Sequence, residues 1–452
     1  MDMAVYTACY LAAYLLDLGS YHWPAGFCLM AAALWLYGAE YRRTGNLVHL
    51  RGIFSLFWVG GQGVACLKLS RLQVPWSPVT WICFYLAFAG FYLTFELFSR
   101  REGAAKEPTG GWRTGRPARS RISGRGGQSA QPLGGISGVG LFESVMGVTA
   151  LSLAAFCFEA WYLGYIPFLV RGVPHAYSYF HVTGVHYFTV SCVLVPALGV
   201  LYFLTDRGRS GRCKKILAAA AVIAALAIPV LCVSRFQLIL AVALAVFVYI
   251  LWEGSFPVVW GAGIAVLMVA AYVVLTIARS HDVAYLNGIF EMKNSNMPIF
   301  ITQPYMYIAN NYENFNYLVE HLEQFAFGMR SLFPLWALTG LKFIMPSLAD
   351  YPILVNKEEL TTVTLFYDAY YDFGAAGVLV FSCVLGAVSW LLVKKLRRMS
   401  SPVGYLLYAQ IGVYLMLSFF TTWFSNPTTW FYLAATAAIW LFCLAIERMR
   451  KG

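Results

Sequence analysis

About twelve predominantly apolar stretches punctuate this chain of 452 residues, each close to the length that crosses a hydrocarbon core. They lie at 4–19, 23–40, 52–69, 79–98, 142–163, 183–205, 215–233, 236–252, 256–278, 370–393, 403–422 and 428–446. Continuous apolar runs of this length read as transmembrane helices. Composition agrees: 60% of residues are hydrophobic and 12% charged, and a soluble domain carries roughly twice that charged fraction. The expected fold class is all-α, a polytopic integral membrane protein of about twelve transmembrane helices. The first stretch lacks a basic leader and a small-residue cleavage site, so it reads as a retained span rather than a cleaved signal.

Lys and Arg concentrate in every second loop: Arg42-Arg43, Arg100 to Arg125, Arg207 to Lys215, Lys394 to Arg398 and Arg448 to Lys451. The positive-inside rule places those loops in the cytoplasm, and an even number of spans places both termini there too. The net charge of +11 therefore sets topology and meets anionic lipid headgroups. Nucleic acid is not an expected partner, because no basic soluble domain of fold-bearing length exists. The ten Cys fall almost entirely in spans or cytoplasmic loops, and no pair has metal-ligand spacing. Neither a disulfide framework nor a zinc site is expected.

Two segments interrupt the rhythm. Residues 99–141, with Arg113, Arg116, Arg119, Arg121 and Arg125 among Gly, Ser, Pro and Gln, read as a disordered basic cytoplasmic linker. They separate four N-terminal spans (1–98) from five more (142–278). Residues 279–369 form a large outer loop, followed by three C-terminal spans in 370–452. Aromatics and amides crowd that loop from Tyr305 to Tyr317. Its Phe325–Met345 part is apolar but broken by Gly328, Arg330, Pro334, Gly340 and Lys342, and reads as short interfacial or re-entrant helices. Long ordered loops in compact proteins are usually functional.

The charge pattern leaves Arg171, Arg235, Arg279 and Arg330 at the outer face or the outer ends of spans. A rigid, permanently charged guanidinium suits phosphate, and the common large anions at an outer membrane surface are lipid-linked phosphates. Arg330 has a second reading, a pair with Glu323. His175, His181 and His186 follow Arg171, but their spacing suits no single helical face, and no metal site is assigned to them. Glu159 is an intramembrane acid and a functional candidate on that ground, with an outer arginine as the alternative partner. Asp368 and Asp372 are four apart and would share a helix face. With Asp282 they are candidates for a base that takes a proton from an attacking hydroxyl.

Three motifs carry a resemblance. They are Ser234-Arg235 opening a hydrophobic span; the Tyr307–Asn316 run with the Gly328–Pro334 segment after it; and Tyr370-Tyr371-Asp372-Phe373-Gly374-Ala375-Ala376-Gly377. Over roughly residues 140–450 the chain resembles the bacterial oligosaccharide repeat-unit polymerases, the O-antigen and capsule polymerases of the Wzy type. The Arg-rich 99–141 insert is not part of that pattern. The resemblance implies a glycosyltransferase of the bacterial inner membrane that uses two undecaprenyl-pyrophosphate-linked glycans on the outer face. It would transfer the growing chain to the non-reducing sugar of an incoming unit, without a nucleotide sugar, metal or other cofactor. Arg171, Arg235, Arg279 and Arg330 would hold pyrophosphate or glycan; Asp372, Asp368 or Asp282 would supply the base; and Asn311, Tyr312 and Asn314 would touch glycan. Candidate protein partners are a chain-length regulator and a flippase. The rival readings are an O-antigen ligase and a flippase for lipid-linked glycans.

Overall fold

The computed structural model describes residues 2–103, 138–170, 176–206, 210–278, 283–294, 296–396, 399 and 401–451. Among them the regular elements are helical, apart from one isolated bridge between Ser70 and Met292. The first helices are α1 (Asp2–Leu18), α2 (His22–Thr44), α3 (Leu50–Phe54), α4 (Gly60–Ala65) and α5 (Pro78–Gly103), with a π-helical turn at Ser55–Val59 joining α3 to α4. Next come α6 (Gly138–Leu163), α7 (His186–Val190), α8 (Val195–Asp206), α9 (Arg212–Leu231), α10 (Arg235–Glu253) and α11 (Val258–Ala278). The chain continues through α12 (Val283–Phe290), α13 (Ile299–His321), α14 (Phe333–Leu338) and α15 (Leu341–Ile344). It ends with α16 (Tyr367–Leu396), α17 (Val403–Met416) and α18 (Pro427–Lys451).

Among the described residues eight helical segments are long and apolar enough to cross a membrane: α5, α6, α7–α8 taken together, α9, α10, α11, α16 and α18. The protein is therefore a polytopic helical membrane protein. The other four expected spans are shorter or less apolar. α1 has 17 residues and α17 has 14, α2 ends in Glu40, Arg42 and Arg43, and α3–α4 gives way to irregular chain after Ala65. Of the 99–141 linker, residues 104–137 lie outside the described residues, while 99–103 continue α5 and 138–141 open α6.

Two compact units emerge, and neither is continuous in sequence. The first gathers α1–α5, α12–α15, most of α16 and residues 414–430. Its centre is a cluster of rings from Phe54, Trp58, Phe84, Phe91, Tyr312 and Phe366, all fully buried. Several pairs meet edge to face, as at Trp58–Phe366 (4.8 Å) and Phe84–Tyr312 (5.3 Å), the geometry ring quadrupoles favour. α2 and α4 touch backbone to backbone, since a Cβ on Gly26 would lie 2.6 Å from the Gly63 carbonyl oxygen. At one end of α2 and α5, buried Arg51 lies between Glu40 (2.6 Å) and Glu96 (2.5 Å), and Arg43 also pairs with Glu40. Arg43 and Arg100, which read as topology markers, thus also pair with the helix acids Glu40 and Glu96.

α13 is the spine of this unit. Seven consecutive residues, Asn310 to Asn316, are buried, so no face of the helix there is left to solvent. The reason lies in its neighbours. Residues 66–77 and 349–366 run without regular structure, and their backbone groups need partners. Side chains of α13 supply them. Asn314 donates to the Leu360 and Thr362 carbonyls (2.7 and 2.8 Å), and Asn311, which also donates to the Phe419 carbonyl (2.7 Å), accepts from the Thr362 hydroxyl (2.6 Å). Asn316 accepts from the Ser77 N–H (2.9 Å) and Tyr305 from the Leu69 N–H (2.9 Å).

The second unit holds α6–α11, most of α17 and the remainder of α18. α6 packs against α7, α8 and α9, and α8 against α10. Only 6% of the spanning part of α11 is buried, so the described residues leave nearly its whole surface uncovered. α9 and α10 are joined by three residues. Val233 takes a left-handed φ of +54°, and Ser234 caps α10 by accepting from the Gln237 N–H.

Candidate functional site

In the second unit, chemistry-bearing side chains gather where α6 ends, α7 begins and α9 turns into α10. Gly164, at φ +77°, ends the α6 exit turn, and a short turn at Pro167–Leu169 follows. The chain re-enters helix at His186. Glu159, one turn before the end of α6, is fully buried and takes three donors from the returning segment. The Val182 N–H reaches Oε1 (2.8 Å), the Thr189 hydroxyl reaches Oε2 (2.7 Å), and His186 Nδ1 lies 3.1 and 3.2 Å from the two oxygens. An acid within a span is costly unless its lone pairs are filled, and here they are. The arginine considered for Glu159 is replaced by His186. The imidazole itself is 31% exposed. His181 is exposed beside it, with ring centroids 6.3 Å apart, while His175 lies outside the described residues. Among the described residues no three metal-binding side chains converge.

Arg235 opens α10 and is 9% exposed, its guanidinium 4.8 Å from the Tyr272 ring centroid. A cation at a helix N-terminus opposes the macrodipole, so α10 itself gains nothing from it. The α9–α10 turn and the end of α6 belong together. Phe168 and Tyr177 pack onto Val233, Leu238 and Leu275. A shallow apolar hollow of about 550 Å³, walled by Trp161, Tyr165, Ile166 and Leu169, adjoins the same segment. Arg171, Arg279 and Asp282 lie outside the described residues.

In the first unit, the Tyr370–Gly377 motif forms a locked corner. α16 breaks at Phe373 and Gly374, the latter at φ 61° and ψ −150°, a conformation essentially reserved for glycine. The break turns the Tyr371 and Asp372 carbonyls to the Ala326 and Phe327 N–H groups (3.1 and 3.2 Å). The Asp372 carboxylate, fully buried, accepts the N–H groups of Arg330 (3.1 Å) and Ser331 (2.8 Å). Asp368 pairs with the Arg330 guanidinium at 2.7 and 2.8 Å, and Arg330 also donates to the Tyr351 carbonyl (2.7 Å). Burial opposes the Arg330 charge, but Asp368 outweighs it and holds the guanidinium above its ordinary range. A cavity of about 480 Å³ opens here, with Arg330, Asp368, Thr422 and Asn426 in its wall. Beside it, α14 and α15 are too short to span and expose Leu335, Phe343 and Ile344.

These contacts correct several sequence expectations. Asp368 and Asp372 are not a free pair awaiting a substrate proton; one neutralises Arg330 and the other holds two backbone N–H groups. Arg330 pairs with Asp368, not with Glu323. Asn311, Tyr312 and Asn314 are fully buried, and their polar atoms bond to the chain itself, Tyr312 to the Trp58 carbonyl (2.9 Å). They hold the spine together. Lys68 escaped sequence reasoning, as did Arg51; Lys68 lies 2.6 Å from Glu313, both 2% exposed. A lysine at the end of an apolar stretch was the available signal, but its partner lies 245 residues away. No protein-family model, curated protein or solved structure matches this chain.

Proposed function

We propose that this protein is a glycosyltransferase of the bacterial inner membrane that polymerises undecaprenyl-pyrophosphate-linked oligosaccharide repeat units. It moves the growing glycan from its lipid pyrophosphate to the non-reducing end of an incoming lipid-linked unit on the outer face. In this reading α1, α2, α3–α4 and α17 complete twelve crossings, and both termini are cytoplasmic. The observation that carries the proposal is Arg235, nine-tenths buried at a three-residue turn between two spans, where Val233 packs against Phe168 of the 164–170 stretch that walls an apolar hollow. Such a place suits an amphiphile with an anionic head and a hydrocarbon tail. As the bond from the anomeric carbon to phosphate breaks, negative charge grows on the pyrophosphate, and a positioned guanidinium stabilises it in bidentate fashion.

The test is a deletion strain complemented with wild type, Arg235→Lys or Arg235→Ala, with surface polysaccharide resolved on a gel. A polymerase deletion leaves single repeat units, wild type restores the ladder, and Arg235→Ala at normal protein level does not. Arg235→Lys keeps the charge but loses the fork, and falls between them. Full-length polymer accumulating on the lipid carrier identifies a ligase. Single units trapped on the inner leaflet identify a flippase.

A further inference from the structure

Glycosyl transfer to a hydroxyl needs a proton acceptor, and among the described residues the two acids expected to fill that role, Asp368 and Asp372, are engaged with the Arg330 side chain and with the Arg330 and Ser331 N–H groups. We propose that His186 is the proton acceptor, that Glu159 is its positioning residue, and that the group deprotonated is an alcohol; the identification of that alcohol as a sugar hydroxyl rests on the glycosyltransferase reading.

The geometry is that of a carboxylate–histidine pair. Glu159 is sealed on three sides by the Val182 N–H, the Thr189 hydroxyl and the His186 ring. A carboxylate can only accept, so in the neutral imidazole the proton is on Nδ1 and the lone pair on Nε2. Among the described residues Nε2 has no protein partner, and the ring is 31% exposed while its carboxylate is fully buried. A purely structural histidine would be held at both nitrogens or covered. This one is fixed at one nitrogen and open at the other, as a base requires.

The step balances without a co-reactant. The hydroxyl proton passes to His186 Nε2 as the hydroxyl oxygen bonds to the anomeric carbon. The bond from that carbon to the pyrophosphate oxygen breaks, and its electron pair leaves with the pyrophosphate. The imidazolium, stabilised by Glu159, then returns its proton to water or to the departing phosphate.

Two substitutions separate this role from a structural one. In His186→Asn the side-chain amide can keep the N–H bond to Glu159 but has nothing at the Nε2 position. In Glu159→Gln the amide donates toward Nδ1, which moves the ring proton to Nε2 and removes the lone pair. The first readout is carbethoxylation of His186 by diethyl pyrocarbonate on the purified full-length protein in detergent, followed by peptide mass spectrometry. The second is the polysaccharide ladder in the complemented deletion strain. Carbethoxylation of His186 is expected to be fast in wild type and to fall about tenfold or more in Glu159→Gln. His186→Asn is expected to keep wild-type protein level and melting temperature while polymerisation falls by roughly 10²-fold or more. A ladder from His186→Asn equal to wild type overturns the proposal, as does unchanged reactivity of His186 in Glu159→Gln. If wild type forms no ladder, the glycosyltransferase reading fails by itself, and the pair stands or falls on carbethoxylation.

Discussion

Lys68 and Glu313 set up a test of how this fold tolerates buried charge. The two meet at 2.6 Å, each 2% exposed. Lys68 also donates to the Val74 carbonyl (2.6 Å) and lies 4.3 Å from the Trp76 ring centroid, while Glu313 accepts from Trp76 Nε1 (2.7 Å) and the Val74 N–H (3.3 Å). Lys68→Met preserves the bulk of the stem and strands the carboxylate. Breaking a buried pair from one side costs about 3–5 kcal/mol, because the remaining charge loses its partner while staying out of water. Lys68→Met with Glu313→Gln removes both charges and leaves Trp76 an acceptor, so it should recover about 2 kcal/mol of that loss. Burial pushes the Glu313 carboxyl above its ordinary value of 4.5, against the pull of Lys68. The folded state therefore keeps this proton to higher pH than the unfolded chain does. Stability from the group is fully present below 4.5 and is lost as pH rises through the folded-state value. Without Lys68 that value climbs further, so the Lys68→Met penalty should be large at pH 7 and shrink on acidification toward about 4.5. The assay is thermal unfolding in detergent, read by tryptophan fluorescence across pH, for wild type, both single variants and the double. A double variant as unstable as Lys68→Met, or a penalty that does not shrink in acid, refutes the reasoning.

Three further outcomes are expected. Gly374→Ala forces a Cβ into a φ of +61° and to 3.1 Å from the Phe325 ring, costing about 1–3 kcal/mol, seen as a lower melting temperature. Asp372→Asn keeps the shape but turns a donor toward one of the two N–H groups of Arg330 and Ser331, costing about 1–3 kcal/mol; amide exchange at residues 326–331 should accelerate while α13 stays protected. Gly61→Ala puts a Cβ 2.5 Å from the Tyr312 hydroxyl and should cost about 1–3 kcal/mol by overpacking. Adding Tyr312→Phe removes the clashing oxygen, so the double variant should melt above Gly61→Ala alone.

The class of this protein was legible in one dimension because the bilayer acts on local composition. Runs such as 79–98, 236–252 and 370–393 are apolar enough to declare themselves without reference to the rest of the chain. The tight turn before Arg235 was also visible, since it depends on a few adjacent residues, whereas the Gly374 break falls inside the run read as one span from 370 to 393. The role of the amide-aromatic run was not. Asn311 and Asn314 look like ligand-binding amides, yet their partners are carbonyls at 360, 362 and 419. Nothing local in the sequence marks those carbonyls as lacking partners.

The same limit applies to the charges. That Glu159, Lys68, Arg330 and Asp372 would be unusual could be read from their positions beside or within apolar sequence. Which of them pair could not. Glu159 takes His186 instead of an arginine, Arg330 takes Asp368 instead of Glu323, and Lys68 takes Glu313. Sequence by itself determined that the chain is helical and membrane-embedded, and which residues carry charge into costly surroundings. Tertiary structure alone decided where each charge and each unpaired backbone group finds its partner. Hydrophobicity acts residue by residue along the chain, whereas satisfying a buried polar atom depends on what folding brings within about 3 Å of it.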